Sequence, residues 1–157
     1  MKKLTLIATI AICIYSLESC KKDNTGGSSN NNTVTKTKTQ LLTANTWRYK
    51  AQFFGIANQK LDDFSSTMDA CWWDNTLVFN TNGTFVLNEG ADRCTGEPAS
   101  YSGSWVFSSD QTKLTTTSTH DTTQYTIRLL DDNNMELSSF DNSGSIPWEA
   151  KDVYIKK

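Results

Sequence analysis

Residues 76–88 read Thr-Leu-Val-Phe-Asn-Thr-Asn-Gly-Thr-Phe-Val-Leu-Asn. Leu77 and Phe79 fall on one side of a pleat, and Phe85 and Leu87 on one side of the next. Between them stands Thr81-Asn82-Gly83, a strong hairpin signal because Asn-Gly supplies positive φ. Period-two alternation on both sides of such a turn describes two half-buried antiparallel strands.

The same pattern continues in both directions. Trp47, Tyr49 and Ala51 alternate with Arg48, Lys50 and Gln52, and Tyr101, Gly103, Trp105 and Phe107 with serines and Val106. Leu114 leads a Thr-rich run. Tyr125, Ile127 and Leu129, then Met135 and Leu137, then Val153 and Ile155, complete the series. Eight strands are expected, at about 46–52, 76–80, 84–88, 100–107, 113–119, 122–130, 134–140 and 152–156. Helical evidence is confined to one short turn at Thr39–Ala44 with Thr39 as its cap. The expected class is all-β: an eight-stranded up-and-down antiparallel barrel with a short N-terminal helical turn. Such a barrel is wide enough for side chains or one small ligand.

Turn lengths orient it. The joins at 81–83, 108–111 and 131–133 are short and share one end in a meander. Those at 53–75, 89–99 and 141–151 are long and share the other, and only the join near His120 breaks the alternation. A candidate site therefore belongs at the long-loop end. Trp47, Tyr49, Phe79, Phe85, Tyr101, Trp105 and Tyr125 sit at core spacing and read as barrel filling. Phe53, Phe54, Trp72, Trp73 and Trp148 fall in the long joins. They either rim a pocket for a lipid, an aromatic metabolite or a sugar, or fold inward as a lid.

Ahead of this domain (39–157) the composition differs. Met1-Lys2-Lys3 is basic, and Leu4–Leu17 is an apolar stretch of 14 residues. That is short of the ~20 needed to span a bilayer as a helix, and it fits a signal-peptide core. Leu17-Glu18-Ser19-Cys20 resembles the lipobox of bacterial lipoproteins, with Glu18 an unusual residue within it. The resemblance implies a signal peptide over 1–19, cleavage before Cys20, lipid on its thiol, and membrane anchoring through that lipid. Ordinary secretion with cleavage near Ser19 is the alternative. Residues 20–38 are Gly, Ser, Asn, Thr and Lys with one large aliphatic, Val34, a composition that buries too little apolar surface to order and reads as a tether. Lys21-Lys22-Asp23 weakly resembles signals that send some Bacteroidota lipoproteins outward. The expected location is the outer membrane, periplasmic or surface-exposed.

The whole chain carries 15 Lys/Arg and 17 Asp/Glu, and losing Lys2, Lys3 and Glu18 with the leader leaves a net charge of −3. A mildly acidic chain without a basic stripe argues against nucleic acid. With Cys13 in the leader and Cys20 lipidated, Cys71 and Cys94 remain in an oxidising compartment, and a disulfide is the simple reading. A pair of metal-binding thiolates is the alternative, but no second Cys or nearby His completes a site.

Leu41-Leu42-Thr43-Ala44-Asn45-Thr46-Trp47 resembles the entry to a lipocalin barrel, where a Trp near the start of the first strand plugs the closed end. Together with Cys71 and Cys94, the Phe79–Phe85 hairpin and Gly103-Ser104-Trp105, residues 39–157 resemble the lipocalin-like domain of small Bacteroidota lipoproteins. Asn45 stands where that family's Gly-x-Trp glycine would be, and the chain ends on Lys156 and Lys157 rather than Arg. The resemblance implies a barrel and a ligand cavity, and no agreed activity.

Chemistry is otherwise sparse. His120 lacks a nucleophile placed by any motif. Asp62-Asp63 and Asp131-Asp132 lack calcium-loop spacing and read as turn acids. No phosphate loop is present, and no carboxylates can be paired across a cleft. Neither catalysis, a cofactor nor a metal is expected. Asp121-Thr122-Thr123 resembles a bacterial O-glycosylation sequon. Two function classes follow: an anchored module binding a small apolar or amphipathic ligand, or a filled barrel that contacts an envelope protein or surface glycan.

Overall fold

The structure, a computed structural model, describes residues 35–119 and 121–157. The leader, Cys20, the tether through residue 34 and His120 lie outside the described residues.

The chain enters through helix α1 (Lys38–Thr43). Its cap is Thr37 rather than Thr39. The Thr37 hydroxyl accepts from the Gln40 amide at 3.2 Å, and Gln40 Oε1 accepts from the Thr37 amide at 2.8 Å. This reciprocal box needs Gln40 at the third helical position, which moves the start two residues upstream of the expected one. The strands then follow as β1 (Thr46–Ile56), β2 (Asp62–Asp63), β3 (Thr76–Phe79), β4 (Thr84–Asn88), β5 (Ser100–Phe107), β6 (Lys113–Ser118), β7 (Thr122–Leu130), β8 (Asn134–Asp141) and β9 (Trp148–Lys156). All pairings are antiparallel. From β3 onward each strand pairs with the next, β1 pairs with both β3 and β9 to close an eight-stranded barrel, and the two-residue β2 adds to β1.

The eight expected strands form at the expected places, with two extensions and one change of face: in β9 Tyr154, rather than Val153 and Ile155, packs against the core. β1 runs on to Ile56 and β9 starts at Trp148, and the two stay paired from Trp47↔Lys156 to Ile56↔Trp148. Phe53, Phe54 and Trp148 are thus strand residues, not join residues. The reason is a β-bulge: the register shifts between Tyr49 and Ala51, so Lys50 is an extra residue and the inward phase changes from odd to even positions. Phe53-Phe54 therefore breaks the alternation that the sequence shows up to Gln52. With β9 starting early, the last join shrinks to 142–147, leaving 57–75 and 89–99 as the long ones.

The closed end gathers most of the fully buried side chains among the described residues. Trp47 is fully buried with Leu42, Phe79, Leu114 and Met135, and its indole N–H donates to the Leu42 carbonyl at 2.9 Å. Helix α1 is thereby locked under the barrel, and Lys38 Nζ and Asn45 Nδ2 bind the carbonyls of Gln111 and Asp132 in the short hairpins. At the β3–β4 turn Gly83 alone takes positive φ (82°), as a three-residue bulged hairpin loop requires.

Toward the other end the wall parts. β1 pairs with β3 only over Thr46–Arg48, and β7 pairs with β8 only over Thr126–Leu130. Beyond those points β8, β9 and β1 form one flap and β3 to β7 another. A bulge lies close to each parting, at Lys50 in β1 and at Arg128 in β7. Bulges bend a strand and increase its twist.

The β1/β3 seam is plugged by residues 64–75. The Phe64 amide donates to the Gln52 carbonyl (2.9 Å), and Ser65 Oγ accepts from the Gln52 amide (3.1 Å). Tyr49 packs against Trp73 and Trp72, with ring centroids 5.9 and 6.3 Å away. Asn75, 4% exposed, holds Glu89 and the Gly90 amide, and Asp74 accepts from the amides of Ala91 and Asp92. The Cys71–Cys94 disulfide, Cα–Cα 5.2 Å, ties this plug to the β4–β5 loop. Replacing both cysteines with Ser should lower stability by about 3 kcal/mol, the loop-closure value for a bridge of this span, read as a shifted urea midpoint. Limited proteolysis of that variant should cut first within 57–75. Equal midpoints would show that the plug holds without its bridge.

Candidate ligand cavity and its open seam

Above the core, the inner face of β5–β7 carries small side chains where bulky ones would fill the barrel: Gly103, Thr116, Ser118 and Thr123. Gly103 is obligatory, because a Cβ there would meet the Thr117 carbonyl at 2.1 Å and the Phe85 ring at 2.7 Å. The space left is a cavity of about 610 Å³. Its floor and sides are Leu77, Phe79, Phe85, Leu87 and Leu137, with Tyr101, Tyr125 and Tyr154 around them. Its upper rim is Gly96, Glu97, Pro98 and Asp121.

The polar groups of this interior are mainly hydroxyls. Asp152, on the inner face of β9, accepts from Tyr49 Oη and Gln52 Nε2, each at 3.0 Å. Burial raises the Asp152 pKa, and these two hydrogen bonds offset part of that rise. Burial, and then the charge of Asp152, push the phenols of Tyr154 and Tyr125 upward, so both remain neutral hydroxyls at physiological pH.

No described residue plugs the β7/β8 seam. A second cleft of about 690 Å³ passes through it, with Thr123 and Gln124 on the β7 side and Ser139, Asp141 and Asn142 on the β8 side. Phe54 and Trp148 form its aromatic wall, stacked at 5.1 Å with 4° between planes, and Phe64 meets Phe54 edge-on at 5.9 Å. Asp121 and Thr123 line both spaces, so the cavity and the seam cleft adjoin there.

The five aromatic residues predicted as contacts are dispersed. Phe54 and Trp148 line the seam cleft, 37% and 40% exposed. Trp72 borders a separate cleft beside the disulfide. Trp73 packs on Tyr49 in the plug. Phe53 faces outward beneath Lys151, whose Nζ lies 4.7 Å from its ring centre. None of the five lines the interior cavity. Phe79, Phe85, Tyr101 and Tyr125, whose spacing reads as barrel filling, line the cavity instead, and Tyr154, which the alternation does not single out, joins them. The available signal was the run of small residues at inward positions 103, 116 and 118.

The acidic pairs serve turns. Asp131 accepts from the Asn133 and Asn134 amides at 2.8 and 2.7 Å, Asp63 from Ser65 at 2.8 Å, and Asp132 pairs with Lys36. Among the described residues no cluster of three His, Cys, Asp or Glu is placed to hold a metal. The chain matches no known family model and no curated protein.

At the base of the open seam, Arg128 is the extra residue of the β7 bulge. Its Nε donates to Ser138 Oγ (3.1 Å) and its Nη2 to Glu149 Oε1 (2.8 Å), while the Ser138 hydroxyl donates to the same oxygen (2.6 Å). Ser138 and Glu149 are buried, at 0% and 4% exposure. Burial pushes the Glu149 pKa up, but the Ser138 hydroxyl and Arg128 outweigh it and hold the carboxyl below its usual value. A carboxylate so depressed stabilises the fold above the usual carboxylate range, and that stabilisation is lost as pH falls through the folded-state value. Glu149→Gln should therefore cost about 1–3 kcal/mol at neutral pH. The difference from the parent should shrink in denaturant titrations run well below the carboxylate range. A gap that stays constant with pH would exclude the charge as its source.

Proposed function

We propose that this chain is an exported, lipid-anchored binding module of the bacterial outer membrane, of lipocalin-like type, whose barrel carries a small apolar or amphipathic molecule. The carrying observation is the interior cavity. Its volume of about 610 Å³ is within the span of small-molecule sites, and its walls are aliphatic and aromatic with a few neutral hydroxyls. A barrel serving only as a contact surface has no use for an inner face of Gly, Thr and Ser opposite Leu and Phe. The leader and Cys20 supply the address, and the segment ahead of Lys36 and the Thr37 helix cap supplies reach.

An apolar fluorophore, N-phenyl-1-naphthylamine, tests the reading. The parent protein should bind it with a blue-shifted, saturable signal. Thr116→Phe places a ring in the cavity and should weaken binding about ten-fold or more. The melting temperature of that variant should hold or rise. Absence of saturable uptake, or unchanged affinity in a folded Thr116→Phe variant, would overturn the cavity as the site.

A further inference from the structure

Resting on that reading, we infer that the β7/β8 seam is the polar half of the same binding site, and that it takes a neutral, hydroxyl-rich head group: the ligand is a glycosylated apolar molecule.

Continuity comes first. The interior cavity and the seam cleft share Asp121 and Thr123, so one molecule can lie in both. The opposite seam is closed by residues 64–75 and the Cys71–Cys94 bridge, leaving the β7/β8 side, among the described residues, as the lateral way out of the barrel. The two spaces differ in chemistry. The inner one is walled by Leu, Phe and Tyr, whereas the seam is edged by the hydroxyls of Thr123 and Ser139 and the amides of Gln124 and Asn142. A ligand matched to both has an apolar body and a head rich in hydrogen-bonding groups.

Charge then selects among heads. Asp121 and Asp141 stand at the seam, and the single cationic side chain among its described lining residues, Lys113, is engaged with Gln124 Oε1 at 3.1 Å. A carboxylate or phosphate head would meet the charge of two carboxylates against the single ammonium of Lys113, with no guanidinium among the described lining residues to receive it. A cationic head would meet Asp121 and Asp141 but leave the Thr123 and Ser139 hydroxyls and the Gln124 and Asn142 amides at the seam without partners in the ligand. Asp121 accepts from the Thr122 amide (2.7 Å) and the Thr123 hydroxyl (2.6 Å), and Asp141 from the Ser143 amide (2.9 Å). Those oxygens still have lone pairs for hydroxyl donors. The remaining feature is the half-exposed indole of Trp148, backed by the stacked Phe54. A flat aromatic face beside carboxylate, amide and hydroxyl groups matches a sugar ring, which has an apolar C–H face and a hydroxylated rim.

Three amphiphiles with one chain length and different heads separate the possibilities: decyl maltoside, decanoate and decyltrimethylammonium, each titrated calorimetrically below its micelle concentration. The maltoside should bind about ten-fold or more tightly than either charged analogue. Trp148→Ala should weaken maltoside binding about five-fold while leaving the affinity for N-phenyl-1-naphthylamine unchanged. Equal or tighter binding of decanoate or of the ammonium compound would overturn the head-group assignment and leave the cavity reading standing. The same holds if the fluorophore binds and no amphiphile does. If neither the fluorophore nor any amphiphile binds, the cavity reading fails and this inference with it.

Discussion

A strand inside a closed barrel hydrogen-bonds along both edges, and β7 beyond Thr126 does so along one. Everything specific to this molecule follows from that parting. The bulge at Arg128 turns β7 away from β8, and the same extra residue supplies the guanidinium that joins Ser138 and Glu149 on the outer face. The parting is therefore held at a defined point: three strands are fastened immediately below it and none crosses above. On the far side of the barrel, where β1 leaves β3, the chain inserts residues 64–75 and fixes them with a disulfide. One seam is closed by covalent chemistry and the other is left as an opening.

Such a barrel needs its stability elsewhere, and the closed end provides it. Trp47 takes the axis, α1 covers it, and the most fully buried apolar side chains gather around this indole. Interiors packed to this density transmit little slack. The upper half, with Gly, Thr and Ser on one inner face, is then free to remain hollow. Division of labour between a dense floor and an open mouth lets a domain of this size hold a cavity without losing its fold.

Much of this was legible in the sequence. Asn82-Gly83 and the alternating runs around it located the strands, and the Cys71–Cys94 bridge is the simple pairing once the lipobox reading sets Cys13 and Cys20 aside. The readings that failed did so for a common reason. A bulge changes the inward phase by one residue, so Phe53-Phe54 looked like a loop when it continues β1. Where a ladder stops is likewise not a local property: nothing in Thr122–Tyr125 or Ser139–Asp141 announces that they face each other unpaired. The lining of the cavity was not legible because the aromatic residues of the long joins looked like the site, whereas the space is created by small side chains at inward positions. Thr116 and Gly103 are unremarkable until Phe85 and Leu87 are placed opposite.

The open seam carries the functional account, since it joins an apolar interior to a polar, aromatic-walled cleft. Its most direct test is the cross-strand pattern of backbone nuclear Overhauser effects in the ligand-free protein. If the β7–β8 ladder ended at Thr126↔Ser138, no cross-strand contact would be seen between Gln124 and Phe140, the pair that an uninterrupted register would bring together. That absence, with contacts intact from Thr126 to Leu130, is the result the account predicts. A continuous ladder through Gln124 and Phe140 would contradict it, for the barrel would then be closed where the proposed ligand has to pass.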